Sequence, residues 1–452
     1  MLPTNLAALE KYEGMRVKAE SLAVAAPTGG SAPDERNKYQ GTSDGVFFAT
    51  LAGVPRPMRE PGLDVFLHQT LKPRASIRWF DTNPEMIRVD TDAQTGAKPI
   101  VVTAGATVKN VVGVMDYSYR RYTILVDAGT QPTVEGNRTF TVAAPALERE
   151  LSVTAFNIQN FFDDERNSDN VGNEAVLSKE FFQKRLNKAS LAIRSALSLP
   201  DVLGVEEVEN LKVLRKLAAK INSDAIAAGL ADPKYEAYLE EGNDPRGIDS
   251  GYLIKTAKVK VLETKQLAKD QLLVVGSSGG NLYDRPPYLI RVQVKRAEQA
   301  NWLANFVAER AKANPEERLA VCGDFNAFVV NESYNDLIGT LIGTPDQNVL
   351  VPGKTFVTNL IDLAMLKSLP HTERYSYVFD GSAQVLDHML VNKKLGERFV
   401  KFTYVRLDAD FPVAWGNDET RPERLSDHDP PIAYFSLDAK AAAGPPKPTP
   451  TP

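Results

Sequence analysis

From residue 151 onward, short apolar runs alternate with stretches of helical periodicity, and a chain patterned this way has to fold as layered α/β structure with helices covering a sheet. Residues 151–156 read as the first strand. Ser178 offers an N-cap to a helix in which Phe182, Leu186, Ala189, Ile193 and Leu197 recur at helical spacing, so those side chains face a core. A second helix is expected over about 211–221 and a third over about 296–313, with Trp302 and Phe306 on one face. Strands are expected at 252–254, 288–294, 319–322, 386–391 and 431–435.

Residues 1 to about 146 are of another kind. Short β-like runs at 100–103, 111–115 and 122–126, separated by Gly, Pro, Asp and Asn, predict a small β-barrel or sandwich, and nothing in this part has a catalytic pattern. The Gly-, Ser-, Pro-, Asp- and Asn-dense stretch 25–45 reads as a long loop. The tail 439–452 is almost wholly Ala, Pro, Lys and Thr, a composition of extended linkers. The chain is therefore read as a β-rich domain over 1–146, an α/β domain over 147–438 and an unpacked tail.

A hydrophobic content of 43% with 25% charged residues supports a substantial core. No apolar run approaches the ~18 residues of a membrane span, and residues 1–14 have neither the basic start nor the apolar centre of an export signal. The net charge of -5 argues against a broad basic surface that grips nucleic acid by counterion release alone. Any phosphate substrate would have to be held locally, by metal and a few arginines. The single cysteine, Cys322, excludes an internal disulfide and a multi-cysteine metal site, and its apolar run 319–322 predicts a buried, inert thiol.

Function is pointed to by what ends each strand of the α/β part. Asn157 follows 153–156, Glu206 and Glu207 follow 202–205, and Gly323-Asp324-Phe325-Asn326 follows 319–322. Asp387-His388 adjoins 389–391, and Ser426-Asp427-His428-Asp429 precedes the last strand. Singly, Asp-x-Asn after Gly is an ordinary turn and paired glutamates an ordinary solvated helix start. Five such ends together indicate a site. Glu207, Asp324, Asn326 and Asp427 are hard-oxygen donors of the type that suits Mg2+ or Mn2+ rather than zinc, and a carboxylate-oriented imidazole beside them handles protons near neutral pH.

This ordered set resembles the endonuclease/exonuclease/phosphatase superfamily over roughly 151–437. The motifs are Thr154-Ala155-Phe156-Asn157, Asp201 through Asn210 with its Glu-Val-Glu-Asn end, Arg285-Pro286-Pro287, Gly323-Asp324-Phe325-Asn326, Leu386-Asp387-His388 and Ser426-Asp427-His428-Asp429-Pro430. The Glu-Val-Glu-Asn variant, with residues 9–15 leading the chain, resembles the large secreted bacterial nucleases in which an OB-like domain precedes the nuclease domain. The resemblance implies a four-layered α/β sandwich, two mixed sheets flanked by helices, and a Mg2+- or Mn2+-dependent nuclease acting on DNA or RNA. It implies that Glu207 is the principal metal ligand, with Asn157 and Asp427 near metal and phosphate. Asp324 and Asn326 would orient or deprotonate the attacking water. His428 would contact the phosphate or act as base, held by Asp387, while His388 would point to the other strand face and be structural. Arg246, Arg285 and Asp249 would be either groups at the phosphate wall or an ordinary loop ion pair. In the loop 411–424, Trp415, Arg421 and Arg424 would either stack on a base and contact phosphate or simply pack. An extracellular or cell-envelope setting follows from the resemblance alone.

One departure stands out. In the nuclease branch a strand ending in Asn-His-x-Lys/Arg-Ser follows the Arg-Pro-Pro strand, and its histidine protonates the leaving oxygen. Here 288–294 runs directly into the next expected helix, and none of the four histidines, His68, His371, His388 and His428, lies at that place. The expectation is therefore a hydrolase that lacks its general acid. The competing readings are a catalytically weak or dead phosphate-binding module and a phosphomonoesterase or lipid phosphodiesterase on the same scaffold.

Overall fold

The structure is a computed structural model that describes residues 9–31, 41–65, 76–166, 175–275, 278–281, 283–294, 316–330, 333, 336–350, 358 and 360–438. The helix expected at 296–313 and the tail 439–452 lie outside the described residues.

The N-terminal part is a β-barrel. Strands β1 (Arg16–Ala26), β2 (Val46–Leu51), β3 (Ile87–Asp90), β4 (Thr107–Ser118) and β5 (Arg121–Val126) pair in the ring β1-β2-β3-β5-β4, closed by β1 against β4, and β6 (Thr133–Glu135) adds to β4. Alternate side chains, among them Leu22, Val24, Phe47, Val89, Val108, Val111 and Ile124, fill the interior as the two-residue period of a strand requires. The run at 100–103 is not a strand. The Thr28 hydroxyl accepts the Val102 N–H at 2.9 Å, so a side chain takes the bond that a ladder partner would have supplied. The expected loop 25–45 is also partly regular, because β1 continues to Ala26 and Gly30–Ser31 pairs with Thr42–Ser43.

The α/β part is built on a six-stranded sheet of order β9-β10-β8-β7-β19-β18, from β7 (Glu150–Phe161), β8 (Val202–Val208), β9 (Tyr235–Leu239), β10 (Asp249–Lys255), β18 (Phe399–Tyr404) and β19 (Pro431–Ser436). Two helices cover one face. α1 (Lys179–Ser195) starts where Ser178 accepts the Phe181 N–H at 3.2 Å, and α2 (Leu211–Ala227) starts where Asn210 accepts the Val213 N–H at 2.9 Å. Each such cap contributes about 1 kcal/mol. Phe182, Leu186, Ala189 and Ile193 from α1 and Leu214, Leu217 and Ile221 from α2 pack on Phe156, Leu203 and Val205.

The opposite face of the sheet carries two smaller sets of strands. β13 (Ala320–Asp324), β17 (Asp387–Asn392) and β14 (Leu360–Asp362) form one, in order β13-β17-β14, packed through Met389, Val391, Ala433 and Phe435. β11 (Val259–Gln266) and β12 (Tyr288–Val294) form the other, packed through Val202, Ile254, Val259, Ile290 and Val292. Among the described residues no ladder joins β12 to β13. A cavity of about 480 Å³ lies there, with Ile290 and Val292 on one wall, Ala320, Val321 and Cys322 on the other, and Val153, Val202 and Tyr252 beneath. Cys322 is therefore only partly buried, contrary to the sequence reading, because its strand edge borders this interval. Its apolar surroundings and then the Glu206 carboxylate still push the thiol up to about 12, which keeps it unreactive.

The loop that leads to Asp427 is fixed by an unusual anchor. Lys188, on α1 and buried, donates to the carbonyls of Trp415, Asp418 and Arg421 at 3.1, 2.9 and 3.0 Å, using all three ammonium hydrogens. Lys188→Met fills similar volume but strands three carbonyls, and is expected to lower stability by on the order of 3 kcal/mol. An unchanged midpoint of urea unfolding would refute the anchor.

Candidate active site

The site begins at the parallel pairing of β7 with β8, which places Asn157 beside Glu206 at one end of the large sheet. Beyond this point the chain turns sharply. Gln159 and Asn160 adopt positive φ, and the Asn157 carboxamide oxygen accepts the Gln159 N–H at 2.9 Å. The turn is also held from α1, where the half-buried Arg185 donates to the carbonyls of Ile158 and Gln159, both at 2.8 Å. Burial pulls this guanidinium down to about 10, against the attraction of Glu207.

Glu207 itself has φ 61°, which breaks the strand alternation, and one of its carboxylate oxygens accepts the Asn160 N–H at 3.0 Å. The other faces Arg285 at 3.3 Å. Arg285 thus stands on the wall of the site. Arg246 stands one step behind, spent on Asp244 at 2.9 Å, and Asp244 in turn lies 3.7 Å from Arg285. Asp249 turns elsewhere, accepting the Gly242 N–H at 2.6 Å, and burial followed by Glu241 pushes its carboxyl up to about 8.

The third component is the end of β13. Gly323 has φ 146°, and a Cβ there would lie 2.1 Å from a Glu206 carboxylate oxygen, so only glycine lets that carboxylate reach the Asp324 N–H, at 2.9 Å. Asp324 then accepts from the Asn326 N–H at 2.8 Å, from the Asn326 amide at 3.2 Å and from the Asn157 amide at 3.5 Å. Burial, followed by Asp324 and Asp387, pushes Glu206 up to about 8, and burial and Asp387 likewise push Asp324 up. The cluster thus carries excess negative charge.

His428 completes it. Its Nδ1 meets an Asp387 oxygen at 2.8 Å and its ring lies 4.8 Å from that of Tyr377. Burial opposes the imidazolium, but Asp387, its hydrogen bond, Asp427 and Asp324 outweigh it and lift the ring to about 10. With Nδ1 on Asp387, Nε2 is the atom able to exchange a proton with a ligand. Asp427 accepts from the Ser426 hydroxyl at 3.4 Å; burial and then Asp427 raise the Tyr377 hydroxyl, while Arg424 lowers it. Arg424 is tied to the Asp408 carbonyl at 3.1 Å. His388 points to the other face of β17, between Asp362 at 2.8 Å and the Ala327 carbonyl at 2.9 Å. In the loop before Asp427, Trp415 packs on Phe411 and carries the Arg421 guanidinium 3.5 Å from its ring centre, so the indole stacks within its own chain.

The geometry therefore brings together Asn157, Glu207, Arg285, Asp324, Asn326, Asp387, Asp427 and His428, with Arg246 and Arg424 held a step back by other partners. Sequence reasoning missed three contributors, Arg185, Tyr377 and the distinct place of Glu206. Among the described residues, the acidic trio with ligand atoms within 4.8 Å is elsewhere, at Asp163, Asp164 and Glu165. Lys216 lies 2.5 Å from Asp163 and Lys212 2.6 Å from Glu165, so that trio is already paired with two lysines. At the strand-end cluster the oxygens do not close into a cage, an arrangement that suits a hard cation bound by one or two carboxylates and retaining several waters.

Residues 152–412 match the model of the Endonuclease/Exonuclease/phosphatase family, and residues 5–135 match that of a domain of unknown function. None of the curated proteins matches the chain. Similar solved structures include D. rerio TDP2 complexed with single strand DNA product, at 13% identity over 64% of this chain and 100% of that one, with a TM-score of 0.36. The endonuclease/exonuclease/phosphatase from Bacteroides vulgatus is 16% identical over 64% of this chain and 99% of that one, with a TM-score of 0.37. The human Nocturnin catalytic domain with bound sulfate is 15% identical over 64% and 96%, with a TM-score of 0.36.

Proposed function

Because the chain belongs to the endonuclease/exonuclease/phosphatase family, we propose that it is a divalent-metal-dependent phosphodiester hydrolase acting on DNA or RNA. The observation that carries the reading is the Asp387–His428 pair, 2.8 Å apart, set in the same strand-end cluster as Asp324, Asn326 and Glu207. In this reading Asp387 fixes the ring and His428 offers Nε2 to the phosphate or to the nucleophile. Asp324, oriented by Asn326 and Asn157, accepts the proton of the attacking water, and Arg285 faces a non-bridging oxygen. Glu207, with Asn157 and Asp427, would hold Mg2+ or Mn2+. When bound, that cation would neutralise charge developing on the phosphate. The donor set fits it, since Glu207 and Asp427 offer carboxylate oxygens and Asn157 an amide oxygen, the hard donors such a cation takes, and the adjacent Glu206 and Asp324 are pushed up by burial and by their acidic neighbours.

The barrel order β1-β2-β3-β5-β4 supports reading 1–146 as an OB-like domain ahead of a four-layered sandwich over 147–438. An extracellular or cell-envelope setting belongs to the same proposal. A weakened enzyme is favoured by one observation. Among the described residues no second imidazole joins the cluster, since His388 is tied to Asp362 and His371 is exposed in a turn.

The deciding experiment incubates the purified chain with supercoiled plasmid in Mg2+, in Mn2+ and in EDTA. Slow nicking that requires the cation is expected. Nicking unaffected by EDTA would remove the metal from the proposal, and absence of turnover on plasmid and on activated diesters alike would favour a phosphate-binding pseudo-enzyme.

A further inference from the structure

The hairpin of β15 (Tyr377–Phe379) and β16 (Ser382–Gln384) touches the catalytic pair at one end and the barrel at the other. At the catalytic end the Ser376 hydroxyl accepts the N–H groups of Leu386 and Asp387 at 3.1 and 3.0 Å, and its carbonyl accepts the Asp429 N–H at 2.7 Å. Tyr377 then lies on His428. The residues on either side of Asp387 and His428 are thus bonded to a single short segment, 376–377.

That segment is seated from the N-terminal domain. Tyr375, fully buried, lies between the guanidinium of Arg56 at 4.3 Å and that of Arg406 at 3.5 Å from its ring centre. Its hydroxyl donates to Asp410 at 2.7 Å, and Asp410 also pairs with Arg56 at 2.8 Å and Arg138 at 2.9 Å. Arg406 closes the loop by bonding the Tyr375 carbonyl at 2.8 Å and Asp429 at 2.9 Å. Further along the hairpin, Ala383 bonds the Pro57 carbonyl and the Arg59 N–H at 3.1 and 2.8 Å, and Ser382 accepts from Asn83 at 2.8 Å. The loop after β2 therefore continues as an extra rung of the hairpin.

We infer that the N-terminal domain is a structural half of the active site, with Arg56 and Tyr375 acting as positioning residues that set the Asp387–His428 pair through segment 376–377. Arg56 has no reason to be packed against Tyr375 and Asp410 if the barrel is only a tethered module. Two aromatic–cation contacts and a shared carboxylate define one orientation of the Tyr375 ring, and the ring's neighbours carry that orientation to the imidazole. Displacing a catalytic group by about 1 Å costs on the order of 10²-fold in rate.

The inference rests on the hydrolase reading, and the test separates the two. In the full chain, Arg56→Met is expected to lower kcat on bis(4-nitrophenyl) phosphate with Mn2+ by about 10²-fold with KM little changed, and Arg56→Lys to restore most of it. Val24→Ala, in the barrel core, serves as a control of matched thermal stability and keeps its kcat. Tyr375→Phe, which loses only the bond to Asp410, takes the place of Arg56→Met if that variant does not fold. The second readout is the low-field proton resonance of His428 Nδ1, which should broaden or shift in Arg56→Met and persist in Val24→Ala. A kcat per folded molecule and a His428 resonance both unchanged in Arg56→Met would overturn the inference. Absence of turnover in the parent chain would defeat the hydrolase reading only, leaving the resonance to decide the positioning role.

Discussion

Glu207→Gln is expected to abolish metal-stimulated hydrolysis, with a loss of about 10³-fold or more, while leaving the fold intact. Among the described residues the carboxylate's hydrogen-bond partners are the Asn160 N–H and Arg285, and a carboxamide oxygen can keep one of them. The structural cost is therefore about one hydrogen bond, or 1 kcal/mol. The chemical cost is larger, because a neutral amide supplies far less charge to a hard cation. A metal that contributes several kcal/mol of transition-state charge stabilisation contributes about a tenfold rate factor for each 1.4 kcal/mol, so losing some 4 kcal/mol gives the predicted factor. Calorimetry with Mg2+ and Mn2+ should show weakened binding in the variant. Equal affinity would refute the assignment and move the ligand role to the Glu206–Asp324 side of the cluster.

The second large effect is a dependence of rate on the acidity of the leaving group. In the proposed mechanism Asp324 and Asn326, which are hydrogen-bonded to each other, activate the water, and the imidazole of His428 is braced by Asp387. No second imidazole stands among the described residues of the cluster to protonate a departing oxygen. The loss of a positioned general acid costs about 10²- to 10⁴-fold, and it matters least when the leaving group departs as a stable anion. Bis(4-nitrophenyl) phosphate should therefore be cleaved measurably with Mg2+ or Mn2+, whereas plasmid DNA should be cut 10²- to 10⁴-fold more slowly than by a family member that has this acid. A flat dependence on leaving-group pKa would show that another donor, such as Tyr288 or a metal-bound water, has taken the role.

Much of the frame was legible because its causes are local. Ser178 announces α1 three residues ahead of the amide it caps, and the period of Phe182, Leu186, Ala189 and Ile193 states which face is buried. The strand-end carboxylates were legible because an open sheet end is where polar side chains can converge. What the sequence hid was made by distant partners. Tyr377 sits in a hairpin with no motif and meets His428 only through tertiary packing, and Arg185 looks like any helix cation until it reaches the Ile158 and Gln159 carbonyls. The separate place of Glu206 could not be read, because it depends on the positive φ of Glu207 and on the missing Cβ of Gly323. The failed strand at 100–103 has the same origin, since propensity for a ladder does not show that the Thr28 hydroxyl will take the Val102 amide first.

Among the described residues, the interval between β12 and β13 is a seam in the hydrogen-bond ladder. Among the described residues β12 ladders with β11 alone, and that pair meets the large sheet through its apolar underside and through the Tyr252 hydroxyl on the Tyr288 carbonyl at 2.8 Å. Ladder bonds transmit cooperativity across a sheet, and a break in them defines a unit that opens at a lower free energy than the whole molecule unfolds. Arg285 stands at the foot of β12, three residues before its first residue, so the segment that would part along the seam is the one that carries the guanidinium to Glu207. In the proposed hydrolase, any local parting of this pair from the sheet would withdraw Arg285 from Glu207, so the rate would follow the fraction of molecules in which that wall is in place.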